Sequence, residues 1–196
     1  ALIYPENQIY SLPLGFNTYG ETDYVRERMD RDFIAGLNKR GYTAFGLSEG
    51  GFVYLMSSEP IRRLSDLKQQ KVWIPEGDNI SKRTMEALSV TPIPLPLTDV
   101  YTALQTGALD IVAMSSVGAV ILQYHTKLKS GTDVPLVYTM GFMAIDKKAF
   151  GKLSAEDQGV VREVMTGLYE SYNVKNMEDD REAKEALFKA GLERVV

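Results

Sequence analysis

The feature that most restricts the fold is the stretch from Ala155 to Lys189, which reads as one helix with room for a single break. Ser154-Ala155-Glu156-Asp157 opens it with a capping hydroxyl, and Gly191 closes it. Val160, Val164, Leu168 and Tyr172 recur at every fourth position and predict its apolar stripe. At 1.5 Å per residue this helix would span on the order of 50 Å, longer than a small domain is wide. A helix of that length implies two lobes bridged by it, or an oligomer contact. The charge-dense run Glu178 to Glu185 reads as a solvated face with i,i+4 pairs such as Asp180–Lys184. Leu192 to Val196 reads as the start of a strand.

Upstream, Gln8 to Phe16 is a loop or strand end punctuated by Pro13 and Gly15, and Thr22 to Lys39 carries helical spacing at Val25, Met29, Phe33 and Leu37. Tyr42 to Met56 reads as two strands, broken by Gly46 and by Gly50-Gly51 as a turn or hinge. Ser65 is expected to cap a short turn, Lys71 to Ile74 is a brief strand, and Asp78 or Asn79 caps the next helix. Thr98 is expected to cap a helix through Gln105; Leu109 to Ala113 is a strand, and Gly118 to Lys127 is helical. Val134 to Ile145 reads as one long strand buried on both faces. This alternation argues for an α/β fold with a largely parallel sheet.

The 196 residues suffice for one large domain or two small ones. Lys plus Arg number 22 against 26 Asp plus Glu, a net charge of −4 that argues against a nucleic-acid partner. With no cysteine and His125 as the lone histidine, disulfides, thiol nucleophiles, Cys-based zinc sites and iron–sulfur clusters are excluded, and neither a cofactor nor a metal is expected. The uncharged stretches Ile111–Tyr124 and Val134–Ile145 fall short of a membrane span. The opening Ala1-Leu2-Ile3-Tyr4 has neither initiator Met nor signal sequence and reads as a processed or truncated edge.

His125 lacks the convergent groups of a triad, so a structural role is the simpler reading. Glu76 and Asp78 around Gly77 could form a carboxylate pair, but Asp78 already has a capping role. Gly46 to Gly51 fits neither nucleotide fingerprint and reads as a turn or hinge. Trp73, the only tryptophan, sits where a strand ends, the place where open α/β sheets bind ligands; core packing is its alternative. Ala113 to Ser116 is another such strand end, with two hydroxyls.

Three elements taken together, Ser65-Asp66-Leu67-Lys68 to Lys71-Val72-Trp73-Ile74-Pro75, Val90-Thr91-Pro92-Ile93-Pro94-Leu95, and Asp99-Val100-Tyr101 through Leu104-Gln105-Thr106-Gly107 to Asp110, resemble the solute-binding proteins of tripartite ATP-independent periplasmic (TRAP) transporters of the DctP type. Leu153 to Gln158 matches in kind, and the likeness runs along nearly the whole chain. The resemblance implies a type II periplasmic-binding-protein fold of two lobes with a long helix crossing both. It implies residues 1–50 in lobe one, 51–137 in lobe two, 138–178 as crossover strand and helix start on lobe one, and 179–196 returning to lobe two. By the same comparison the chain lacks the first βα units of lobe one and the elements after Val196, so it reads as a fragment.

The implied function is that of an extracytoplasmic, bacterial receptor. It captures a small-molecule solute in the cleft between lobes and delivers it to the membrane permease subunits of a TRAP transporter, without chemistry. The resemblance also marks departures. Trp73 stands where relatives place the arginine that pairs with a ligand carboxylate, Val53 (or Phe52 beside it) at a second arginine or polar position, and Met114 near a cleft asparagine. The expected ligand set is therefore Trp73, Val53, Met114, Ser115, Ser116 and Tyr138, with stacking on the indole and hydroxyl contacts replacing a carboxylate clamp. Gly50-Gly51 and the crossing at Val137 to Ile145 are the expected hinges. Oligomerisation through the incomplete lobe or the long helix is a further expectation. The alternatives are a sensory or scaffold module of the same fold and, less favoured, an enzyme using Glu76, Asp78 and His125.

Overall fold

The computed structural model describes residues 4–196; the opening Ala1-Leu2-Ile3 lies outside the described residues. In chain order the elements are α1 (Tyr19–Lys39), β1 (Tyr42–Ala44), β2 (Ser48–Ser57), α2 (Leu64–Lys68), β3 (Trp73–Pro75), α3 (Asn79–Ala87), β4 (Ile93–Leu95) and α4 (Val100–Gln105). There follow β5 (Ile111–Ser115), α5 (Ser116–Ile121), β6 (Ser130–Thr132), β7 (Val137–Gly141), β8 (Ala144–Asp146), α6 (Lys147–Phe150), α7 (Ala155–Lys189) and β9 (Glu193–Val195). Two compact units divide the chain: unit 1 holds residues through Gly51 with Val137–Asp179, and unit 2 holds Phe52–Leu136 with Asp180–Val196.

In unit 1, Thr18 caps α1 by accepting the Glu21 N–H at 3.3 Å. The helix buries Phe33 and Leu37 against Ala44 and Leu47, with Tyr42, Met140 and Phe142 packed around them. Phe33 meets Phe142 edge to face at 5.3 Å. Each such buried side chain contributes about 1.5–3 kcal/mol. β1 and β8 pair antiparallel, Tyr42 opposite Asp146.

Unit 2 is a βαβ layer. β3 and β4 run parallel, and a parallel bridge from Val72 to Ile111 joins β3 to β5. β5 lies antiparallel to β2, β2 antiparallel to β6, and β6 parallel to β9. The order is thus β4-β3-β5-β2-β6-β9, with β2 alone reversed. The largely parallel expectation holds here, and the exception is the strand that enters from unit 1. Leu67, Val72, Ile74, Met85, Val90 and Ile111 form the core.

Several local expectations are corrected. Val134–Ile145 is two strands, β7 and β8, and of β7 only Tyr138 is buried; between them the Met143 N–H leaves the ladder for the Tyr169 hydroxyl at 2.7 Å. Gly50-Gly51 lies inside β2, and the break falls at residues 45–47. Arg63, not Ser65, precedes α2, with Asp66 bonding back to the Arg63 N–H at 3.2 Å. Thr98 bonds Asp99 and caps no helix. The helix expected over Gly118–Lys127 stops at Ile121, because Gln123 takes a left-handed conformation. α7 keeps the expected bounds, but its stripe does not face a core: Val160 and Val164 are each 54% exposed. Asp180 is buried, so this part of the run is no solvated face, and Lys184 pairs with Asp133 at 2.6 Å.

Candidate ligand-binding site

β2 and β5 bring three of the expected residues to one edge of unit 2. Val53 lies opposite Ser115, and Tyr54 opposite Met114. β5 passes directly into α5, with Ser115 as the N-cap: its backbone is extended and its hydroxyl accepts the Gly118 N–H at 3.2 Å. That bond occupies one lone pair and leaves the hydroxyl proton available to donate. Gly118 packs close to this residue pair: a Cβ there would lie 2.8 Å from the Met114 sulfur and 3.1 Å from the Ser115 hydroxyl, so the methionine side chain would have to shift. Val53, Met114 and Ser115 are all partly exposed. Ser116 is fully buried, and its hydroxyl has no hydrogen-bond partner among the described residues.

Trp73 is placed otherwise. The residue is 3% exposed, and the indole N–H donates to the Leu95 carbonyl at 3.0 Å. This corrects the expectation of a stacking face: the ring is enclosed and its N–H is held by the last residue of β4, and burial of its large apolar surface outweighs any gain from exposing it. Two outcomes check the placement. Emission from the single tryptophan should be blue-shifted and weakly quenched by acrylamide. Trp73→Phe should cost about 1–3 kcal/mol, because the Leu95 carbonyl then loses its donor. A red-shifted, readily quenched spectrum would put the ring in solvent.

Tyr138 is also buried, so the expected hydroxyl contact with a solute is corrected as well. Its O–H donates to Glu49, a residue absent from the expected set, and Arg26 bonds the same carboxylate. Arg26 further donates from Nε to Asp30 at 3.0 Å and from Nη2 to the Leu47 carbonyl at 2.9 Å. Tyr10 donates to Asp30 at 2.6 Å. Burial lifts the Glu49 carboxyl above the usual range, and the Tyr138 hydrogen bond and the Arg26 charge pull it back. Burial and the neighbouring carboxylates push the Tyr10 and Tyr138 hydroxyls well above the ordinary tyrosine value. A signal for Arg26 existed in the sequence. It sits seven residues before Phe33 and eleven before Leu37, on the face that those two bury.

Among the described hydrogen bonds and ion pairs none joins Glu76, Asp78 and His125 to one another. Asp78 accepts the Ile80 and Ser81 N–H groups at the start of α3, and His125 Nδ1 sits 3.2 Å from the Ala119 carbonyl. Glu76 is exposed. Among the described residues no group of three or more acidic or histidine side chains could hold a metal, and no helix is long and apolar enough to cross a membrane.

Against this fold and edge, residues 1–195 match the bacterial extracellular solute-binding proteins, family 7, of the DctP type. The chain belongs to this family. Among curated relatives it is 26% identical over 166 residues to the uncharacterized protein YiiZ of Salmonella typhimurium, covering 80% of this chain and 49% of that protein. It is 23% identical over 156 residues to a solute-binding protein of Verminephrobacter eiseniae, covering 79% and 46%. The chain thus spans about half the length of the curated relatives it matches.

Two solved structures are similar. A TRAP periplasmic solute-binding protein of Xanthobacter autotrophicus with bound β-D-galacturonate superposes with a TM-score of 0.89 at 20% identity, covering 99% of this chain and 65% of that one. One from Pseudomonas putida with bound D-glucuronate gives 0.86 at 19%, covering 99% and 64%. These likenesses show the type II periplasmic binding fold. Family 7 and its solved neighbours are solute-binding receptors and not enzymes.

Proposed function

We propose that this family 7 chain is part of an extracytoplasmic receptor that captures a small organic acid and delivers it to a TRAP permease. The observation that carries this reading is the match to the solute-binding family along nearly the whole chain. Support for the ligand class comes from the solved neighbours, which hold galacturonate, glucuronate and pyroglutamic acid.

The mode of capture departs from an arginine clamp. At position 73 the side chain offers neither a cation nor a free donor, since its N–H is bound to Leu95. Val53 and Ser115, opposite one another and so on one face of the ladder, then form the recognising edge of unit 2, with the Ser115 hydroxyl as hydrogen-bond donor to the solute and Val53 as apolar wall, while Met114 lies on the alternate face with Tyr54. Binding to the folded state raises the melting midpoint. The test is a thermal-shift screen of the full-length protein against D-galacturonate, D-glucuronate, pyroglutamate, orotate and apolar aromatic solutes, followed by calorimetry. At least one acid should raise the midpoint, and Ser115→Ala should weaken it roughly tenfold, the effect of one lost hydrogen bond. No shift with any acid would overturn the ligand class; a Ser115→Ala protein that binds as before would overturn the edge.

A further inference from the structure

Three points carry the chain between the two units: Gly51 to Phe52 within β2, Leu136 to Val137 ahead of β7, and Asp179 to Asp180 within α7. Glu49 lies two residues before the first. Its carboxylate accepts from Tyr138, one residue past the second crossing, and from Arg26 of α1. Its N–H donates to Asn173 Oδ1 at 2.9 Å, and its carbonyl accepts from Asn176 Nδ2 at 2.8 Å, both on the approach to the third crossing. Every polar group of this one residue is thereby bonded to a side chain of another segment, and all of these segments belong to unit 1.

We infer that Glu49 is a positioning residue that fastens the three crossing segments to one another on the unit 1 side, so that they are released or held together. Two observations favour this over plain packing. A strand residue ordinarily gives its main-chain groups to neighbouring strands, whereas both groups of Glu49 go to helix α7. A buried carboxylate is also a poor means of gaining stability alone, because its desolvation cost offsets its ion pair. The fastening ends abruptly. Gly50 packs so close to β7 that a Cβ would meet Thr139 Oγ1 at 2.7 Å, and Gly51 has φ +80° and accepts the Thr139 hydroxyl at 2.9 Å. A rigid residue is thus followed at once by two that only glycine suits. The inference does not depend on the solute.

Hydrogen exchange on the full-length protein tests it. In Glu49→Gln, which keeps the shape and loses the charge, exchange should rise together and roughly tenfold in peptides covering 48–51, 137–141 and 170–179, while 30–39 of α1 stays protected. A rise confined to β2, or one spread evenly through unit 1, would overturn it. The double variant Asn173→Ala, Asn176→Ala serves if Glu49→Gln fails to fold. It touches only α7 side chains, yet exchange over 137–141 should rise as well; a change confined to α7 would reject the coupling.

Discussion

Arg26→Met is expected to lower the unfolding free energy by about 3–5 kcal/mol, the cost of removing one partner from a buried ion pair. Methionine fills much of the space but leaves Asp30 and Glu49 facing one another's surroundings without the guanidinium that both now contact. The loss should depend on pH. Burial already raises the folded-state Glu49 carboxyl above its unfolded value, and Arg26 opposes that rise. Without Arg26 the rise grows, so the folded protein keeps a proton that the unfolded chain releases. In that window the unfolded state binds fewer protons, and stability falls as pH increases. Urea unfolding should therefore show a smaller deficit near about pH 5 than near about pH 7.5. A deficit below about 1 kcal/mol, or one that shrinks as pH rises, would contradict the buried network.

Ile111→Ala should be comparably damaging, at about 2–5 kcal/mol, for a different reason. Ile111 is fully buried where three strands meet: it opposes Ser57 on β2, bridges Val72 beside β3, and its N–H reaches the Lys71 carbonyl at 3.1 Å. Truncation opens a cavity among Val72, Ile74 and Val90 that the surrounding backbone is too constrained to fill. The instructive control is Val160→Ala on α7. It removes an aliphatic side chain as well, yet should lie within about 0.5 kcal/mol of the parent, because Val160 is exposed. Equal losses at the two positions would mean that the helix stripe is buried after all.

The contrast between these residues shows how far the chain can be read without coordinates. Periodicity located α1 and α7, since helix formation depends on residues three and four apart, and those spacings are visible in one dimension. It did not say which face of α7 meets protein: the stripe at Val160 and Val164 is regular, and it is exposed. The apolar run over 134–145 hides the break between β7 and β8 for a related reason. The residue that parts them bonds to Tyr169, a partner twenty-six positions away in sequence. Of the proposed ligand set, Ser115 is marked in the sequence as a hydroxyl at a strand end, and Val53 and Met114 by the family positions they match. The placement of Trp73 is not, because whether an aromatic ring packs or presents itself depends on what lies across from it, here the Leu95 carbonyl.

Alone, the order of residues determined the family, the α/β class and the bounds of the long helix, all of which rest on local patterns and linear motifs. The tertiary structure decided that β2 runs against its neighbours, that the indole is enclosed, and that Arg26, Glu49 and Tyr138 share one buried network. The last of these joins residues 112 positions apart between Arg26 and Tyr138. Such a contact forms only when packing has excluded water from all three, and exclusion of water is a property of the folded volume and not of the chain.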